Sequence, residues 1–154
     1  MKELNLVLMT EEEFHIFIES EGSRYAESLC KYKGLQREEA LKKAHFETQR
    51  LLPHGIKTPF HTFYRCCNWT EDVGTLWIYA NEKKKQAFIY QITIFEGYQR
   101  KGYGKATLRE IEKILRKQKI DTLSLNVFYE NQRAYHFYKE MGFKTVSMTM
   151  KKEL

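Results

Sequence analysis

Cysteine is scarce in this sequence: there are three, an odd number, and Cys66 and Cys67 are adjacent. No CxxC pair occurs, so neither a zinc framework nor a disulfide scaffold is indicated. A reducing cytoplasm suits such a chain. Long apolar runs are missing too. Nothing approaches the ~18 residues that a membrane span needs, so no membrane association is expected. The opening MKELNLVLMTEEEF follows one early lysine with a cluster of acids, which is unlike a signal peptide. No linker, repeat or low-complexity stretch divides the 154 residues, and one domain over 1–154 is expected.

What is present is enough for a packed core: 42% of residues are hydrophobic and 14% aromatic. The formal net charge is +6. Nucleic acid, anionic lipid or a phosphorylated small molecule would each suit that sign. The location of the charge narrows the field. Residues 97–119 hold eight bases and two acids, and eight minus two accounts for the whole excess. Residues 1–52 lean the other way, with eight bases and ten acids. A concentrated positive charge asks for a local anion.

The patterning predicts a strand over Leu4–Met9, then a helix capped by Thr10 with Glu13 three residues on. Phe14, Phe17 and Ile18 share one face of that helix, and Gly22 and Gly34 punctuate the stretch after it. A second helix is expected over Gln36–Leu52, ended by Pro53 and Gly55. Strands over His61–Cys67, Val73–Tyr79 and Gln86–Phe95 read as an antiparallel meander. Then come a helix over Gly104–Gln118, a strand over Thr122–Phe128, a helix over Asn131–Met141, and a last strand in which Val146, Met148 and Met150 alternate with polar residues. The order is β-α-α-β-β-β-α-β-α-β, a mixed α/β sheet of the α+β type.

Three of the eight glycines fall in Gly97-Tyr98-Gln99-Arg100-Lys101-Gly102-Tyr103-Gly104-Lys105, between a predicted strand and the helix it opens. The free N–H groups of a first helical turn attract phosphate, and Arg100, Lys101 and Lys105 add charge. A Walker A loop would need Lys-Ser/Thr after its second glycine; Tyr103 and Gly104 stand there. A Rossmann turn would need a third glycine where Thr107 stands.

The spacing Gln99-x-x-Gly102-x-Gly104 resembles the Gln/Arg-x-x-Gly-x-Gly/Ala signature of the GCN5-related N-acetyltransferase (GNAT) superfamily. A second block, Asn131-Gln-Arg-Ala134-Tyr-His-Phe137-Tyr138-Lys-Glu-Met-Gly142-Phe143, is similar to that family's Asn-x-x-Ala-x-x-Phe/Leu-Tyr-x-x-x-Gly-Phe block. Residues 73–150 carry the likeness. The first half fits by element order. There, Arg24-Tyr25-Ala26-Glu27 and the segment from Leu51-Leu52-Pro53 to Thr58-Pro59 look like bacillary members of unassigned substrate.

The resemblance implies an acetyl-CoA-dependent N-acetyltransferase that moves an acetyl group to a primary amine by direct attack in a ternary complex. It implies no metal. Residues 73–150 would form the acetyl-CoA side and 1–60 the acceptor side. Ile92, Thr93 and Ile94 would hold the pantetheine arm through their backbone. Gln99, Arg100, Lys101, Gly102, Tyr103, Gly104 and Lys105 would hold the pyrophosphate, with Asn131 also reaching the cofactor. Tyr138 matches the family's proton donor to the leaving thiolate, although it also lies on the apolar face of its helix, as a core aromatic would. Tyr135, one turn away, lacks the match.

No general base stands out: Tyr90 and Gln91 occupy the family's position. His61, Tyr25 and Glu27 are candidates for the acceptor side, with His15 and His45 further options. The acids Glu19, Glu21 and Glu27 either attract a cationic amine or form solvated helix faces. The expected partner is a small-molecule or peptide amine, in a cytoplasmic protein with exposed C-terminal strands that suit a homodimer. Two alternatives are a nucleic-acid-binding basic domain and a non-catalytic CoA-binding relic. Bases and aromatics do not interleave along 97–119, which argues against the first.

Overall fold

A computed structural model describes residues 2–154. Strand β1 (Asn5–Leu8) leads into helix α1 (Glu11–Lys33), whose start is a complete capping box between Thr10 and Glu13. Gly22 does not interrupt α1, which runs 23 residues to a left-handed Gly34. Helix α2 (Arg37–Leu51) turns back along it, packing through Ala26, Leu29, Ala40 and Ala44. Strands β2 (His61–Cys67), β3 (Asp72–Asn81) and β4 (Gln86–Ile94) come next, then α3 (Tyr103–Lys117), β5 (Thr122–Leu125) and α4 (Gln132–Glu140).

The five strands form one sheet in chain order, antiparallel except for the parallel pair β4–β5. This mixed α+β sheet is the expected class. Its two faces are covered differently, because side chains alternate across a strand. Leu76, Ile78, Ala87 and Ile89 face α3, which contributes Leu108, Ile111 and Leu115; α4 joins them through Phe137, Tyr138 and Met141. Phe63 and Trp77 point the other way, against Phe14 and Phe17 of α1.

One expected element is not formed. Residues 145–150 make no strand, and Val146 and Met150 are about nine-tenths exposed. Alternation specifies a strand only where a sheet edge takes up its hydrogen bonds. β5 is four residues long, ends at Leu125 and pairs only with β4, so no ladder reaches this segment.

Candidate active site

The sheet opens at its centre. β4 pairs with β5 only from Gln86↔Thr122 to Ile89↔Leu125. From Tyr90 to Ile94 the β4 backbone has no partner on the β5 side, while Gln91 to Ile94 still pair with β3. Tyr90 is also the extra residue of a β-bulge: Trp77 opposes Gln91, and the next residue, Ile78, opposes Ile89. A bulge twists and re-aims a strand, and here it sits where β4 and β5 part. The unpartnered N–H and C=O groups beyond it suit a ligand that hydrogen-bonds like another strand. The side chains of Ile92 and Ile94 pack into the core on the α3 side, which leaves their backbone for that role.

The glycine turn comes directly after. Gln99 donates from its amide to the Ile94 carbonyl at 2.9 Å, tying the turn to the end of β4. Arg100 (φ 61°) and Gly102 (φ 90°) are both left-handed. That conformation is routine for glycine and strained for arginine. Gly102 is the N-cap of α3 and no side chain caps the helix, so its first N–H groups remain available to an anion. The Tyr103 side chain is a core residue whose hydroxyl accepts from Asn68, so only its backbone faces the turn's task.

Beside the turn lies an open groove of about 710 Å³ lined by Lys2, Lys101, Lys105 and Arg109. Among the described residues none of these four makes an ion pair. Arg109 is among the bases counted over 97–119, whereas Lys2 joins them only through the fold: it precedes β1 yet sits over the Tyr103 ring.

Helix α4 approaches the same turn. A Cβ on Gly104 would stand 3.3 Å from Phe137 Cζ. Asn131 caps α4 by accepting from the Ala134 N–H. Tyr138 packs against the core cluster containing Ile92 and Ile94, and burial pushes its phenol above the ordinary value. It is therefore protonated at neutral pH. Tyr135 instead lies 3.0 Å from the Thr145 hydroxyl.

On the opposite face, a cleft of about 560 Å³ runs between α1 and the far ends of β3 and β4. Gln91 and Thr93 line it on either side of the core-facing Ile92, and Ile94 reaches it at the end of β4. The Gln91 amide donates to Thr93 Oγ1 at 2.8 Å and pairs with the Thr75 hydroxyl, while Arg24 donates to Thr93 from above. At one end, Arg65 is held between Asp72 (2.7 Å) and Glu13 (2.8 Å). Glu21 also lines the cleft, with its side chain about one-fifth exposed. Burial raises its carboxyl above the usual range, and Arg24 and the polar Gln91 side chain pull it partly back.

The acceptor-side candidates separate. The His61 Nδ1 accepts the Trp77 indole N–H at 2.9 Å. An indole only donates, so the imidazole proton sits on Nε2 and the ring is neutral. Its pKa is lowered by burial. Tyr25 donates to Glu47 at 2.7 Å, joining α1 to α2, and its phenol is pushed up to about 12 by burial and that carboxylate. Glu27, His15 and His45 are exposed and line neither cavity. Residue type alone left Glu21 as one of three acids that either attract a cationic amine or form solvated helix faces, set Gln91 aside as no base, and gave Arg24 no role. The available signal was spacing: Phe14, Phe17 and Glu21 fall at i, i+3 and i+7, which puts a carboxylate on the buried stripe of α1.

A sheet parted at a bulge, a helix N-terminus following the gap and α4 packed onto the same turn are the arrangement expected for acyl transfer, and comparison with known proteins gives the same family. The model of the Acetyltransferase (GNAT) family matches residues 25–143, and the chain belongs to that family as an N-acetyltransferase. It is 34% identical over 152 residues to the uncharacterized N-acetyltransferase YycN of Bacillus subtilis, covering 97% of both chains. It is 30% identical over 149 residues to the uncharacterized N-acetyltransferase YdgE of the same organism, covering 95% of both. The crystal structure of YycN superposes with a TM-score of 0.93 over 99% of each chain.

Proposed function

We propose that this protein transfers an acetyl group from acetyl-CoA to a primary amine by direct attack, with both substrates bound together. The observation that carries the reading is the unpartnered stretch Tyr90–Ile94, which ends five residues before the Gln99–Gly104 turn. One feature accepts an amide-bearing arm and the other a pyrophosphate, and the chain brings them end to end. Lys2, Lys101, Lys105 and Arg109 of the basic groove supply further charge for phosphate.

Acetyl-CoA supplies an activated acetyl group as a thioester. The chain's residues do the rest. Backbone groups at Ile92, Thr93 and Ile94 fix the pantetheine arm along the strand edge, and a backbone N–H at the bulge polarises the acetyl carbonyl. The first turn of α3, with Arg100, Lys101 and Lys105, holds the phosphates. Asn131 positions α4, and the Tyr138 hydroxyl gives its proton to the departing sulfur. Residues 1–60 form mainly the acceptor side and 73–150 the cofactor side.

Thermal shift with acetyl-CoA, CoA and a short DNA duplex, followed by thiol release over a panel of amines, tests this. Stabilisation by both CoA forms and turnover of at least one amine are expected. No stabilisation by either CoA form would overturn the reading. Stabilisation by the duplex alone would point to nucleic acid.

A further inference from the structure

Acetyl transfer to a protonated amine needs a group that takes a proton from the acceptor, and the positions beside the β4 bulge, Tyr90 and Gln91, offer no base. We propose that Glu21 of α1 is that base, and that the cleft it lines admits an alkylammonium substrate; this rests on the acetyl-transfer reading of the same site.

The geometry comes from the alternation of β4. The edge proposed to hold the thioester runs from Tyr90 to Ile94. The side chains of Gln91 and Thr93, from that same stretch, form one wall of the cleft. Glu21 meets this wall from α1. Its carboxylate lies 3.6 Å from Arg24 Nη1, which itself donates to Thr93, and the Gln91 side chain lines the same cleft. Gln91 is buried, and Thr75 and Thr93 fix its orientation, so the wall opposite Glu21 is a set polar network.

The other charged groups facing the cleft are Glu13, Arg24, Arg65, Asp72 and Glu96. Four carboxylates against two guanidiniums leave a net charge of −2. Arg65 is committed to Glu13 and Asp72, which leaves Glu21, Glu96 and Arg24. A cationic amine is favoured there over a neutral or anionic one.

Every proton has a destination. The acceptor enters as R–NH3+ and Glu21 takes one proton, leaving a nitrogen lone pair. That pair forms the C–N bond to the acetyl carbon. The C–S bond breaks, and the sulfur keeps the bonding pair and takes the Tyr138 proton. A second nitrogen proton restores Tyr138 through solvent, and the proton on Glu21 leaves to water. The products are the N-acetyl amine, CoA thiol and one proton.

The test uses the full chain, acetyl-CoA, and spermidine, an aminoglycoside and a lysine amide as acceptors, with thiol release monitored across pH. Glu21→Gln is expected to lower kcat/KM for the best amine by about 10²–10³-fold. It should leave acetyl-CoA affinity unchanged and remove the acidic limb of the pH profile. Glu21→Asp should restore part of the activity together with an acidic limb displaced from its wild-type position. Full activity and an intact acidic limb in Glu21→Gln would overturn the role. If Glu21→Gln does not fold, the Glu21→Asp profile decides, since an unchanged limb there overturns it too. Failure of the wild-type protein to turn over any amine would instead overturn the acetyl-transfer reading.

Discussion

The carbonyl oxygen of Thr93 lies 2.1 Å from the point where a Cβ on Gly74 would stand. No side chain fits that space, and the obstacle is backbone. Gly74 pairs with Ile94 beside it, and both line the cleft under α1. Replacing Gly74 with alanine must push β3 away from β4 at the end of the stretch that β5 leaves unpartnered. A loss of about 1–3 kcal/mol in denaturant unfolding is expected from such overpacking, together with weaker acetyl-CoA binding. Wild-type stability and binding in Gly74→Ala would show that the β3–β4 contact adapts at no cost.

The parts of this fold legible in the sequence are those where local pattern and global packing agree. Thr10 with Glu13 marks the start of α1, and Leu108, Ile111 and Leu115 mark the buried face of α3. The glycine turn was legible because Gly102 has to be left-handed and the bases cluster around it. The bulge at Tyr90 was not. It depends on register against Trp77 and Ile78, which one strand's sequence does not encode. Lys2 in the basic groove and Glu21 against Gln91 are likewise products of long-range packing. The strand expected over 145–150 shows the converse. Its alternation is clear, yet no sheet edge receives it.

The basic groove should behave as an electrostatic site. Lys101→Glu with Lys105→Glu puts two negative charges where a phosphate is expected and leaves the core untouched, since both side chains are exposed. CoA affinity should fall at least about tenfold, and the loss should shrink as salt rises. Unchanged affinity would place the phosphates elsewhere. Gly102→Val is a complementary probe. It forces a β-branched residue to φ 90°, so it should distort the turn itself and weaken binding at every salt concentration.

His61 gives the folded protein a pH dependence. Burial and the indole hydrogen bond keep it neutral, with a pKa below the ordinary 6.5. The unfolded chain therefore binds that proton more readily. The stabilisation is complete above pH 6.5 and is lost as pH falls through the folded value. His61→Gln should lose less stability than the wild type when urea melts at about pH 7 are compared with melts at about pH 5. Equal losses would show that His61 does not contribute.

Glu21 acts in the opposite direction. Its carboxyl is raised above the ordinary 4.5 by burial, so the folded chain holds that proton more tightly than the unfolded one. Folding is opposed once pH rises through the folded value. Glu21→Gln, neutral at every pH, is expected to melt at a higher temperature than the wild type at pH 8 and at no higher temperature at pH 4. A residue present only for structure would not cost stability in this way, whereas a working group is often retained at such a cost. A lower melting temperature for Glu21→Gln at pH 8 would assign Glu21 a structural role.

Tyr138 is where the two readings of one side chain part. As a core aromatic it would contribute through its ring, which packs against Phe137 and Phe143 at 5.4 and 5.7 Å between centroids. As a proton donor it acts through its hydroxyl, which burial keeps protonated at neutral pH. Phenylalanine retains the ring and removes only the oxygen. Tyr138→Phe should therefore fold with wild-type stability and bind acetyl-CoA normally, while kcat falls about 10²-fold. Pre-steady-state thiol release locates the loss in the chemical step, where the sulfur leaves without a proton. Unchanged kcat would remove the proton donor from the mechanism and leave Tyr138 as a wall of the core.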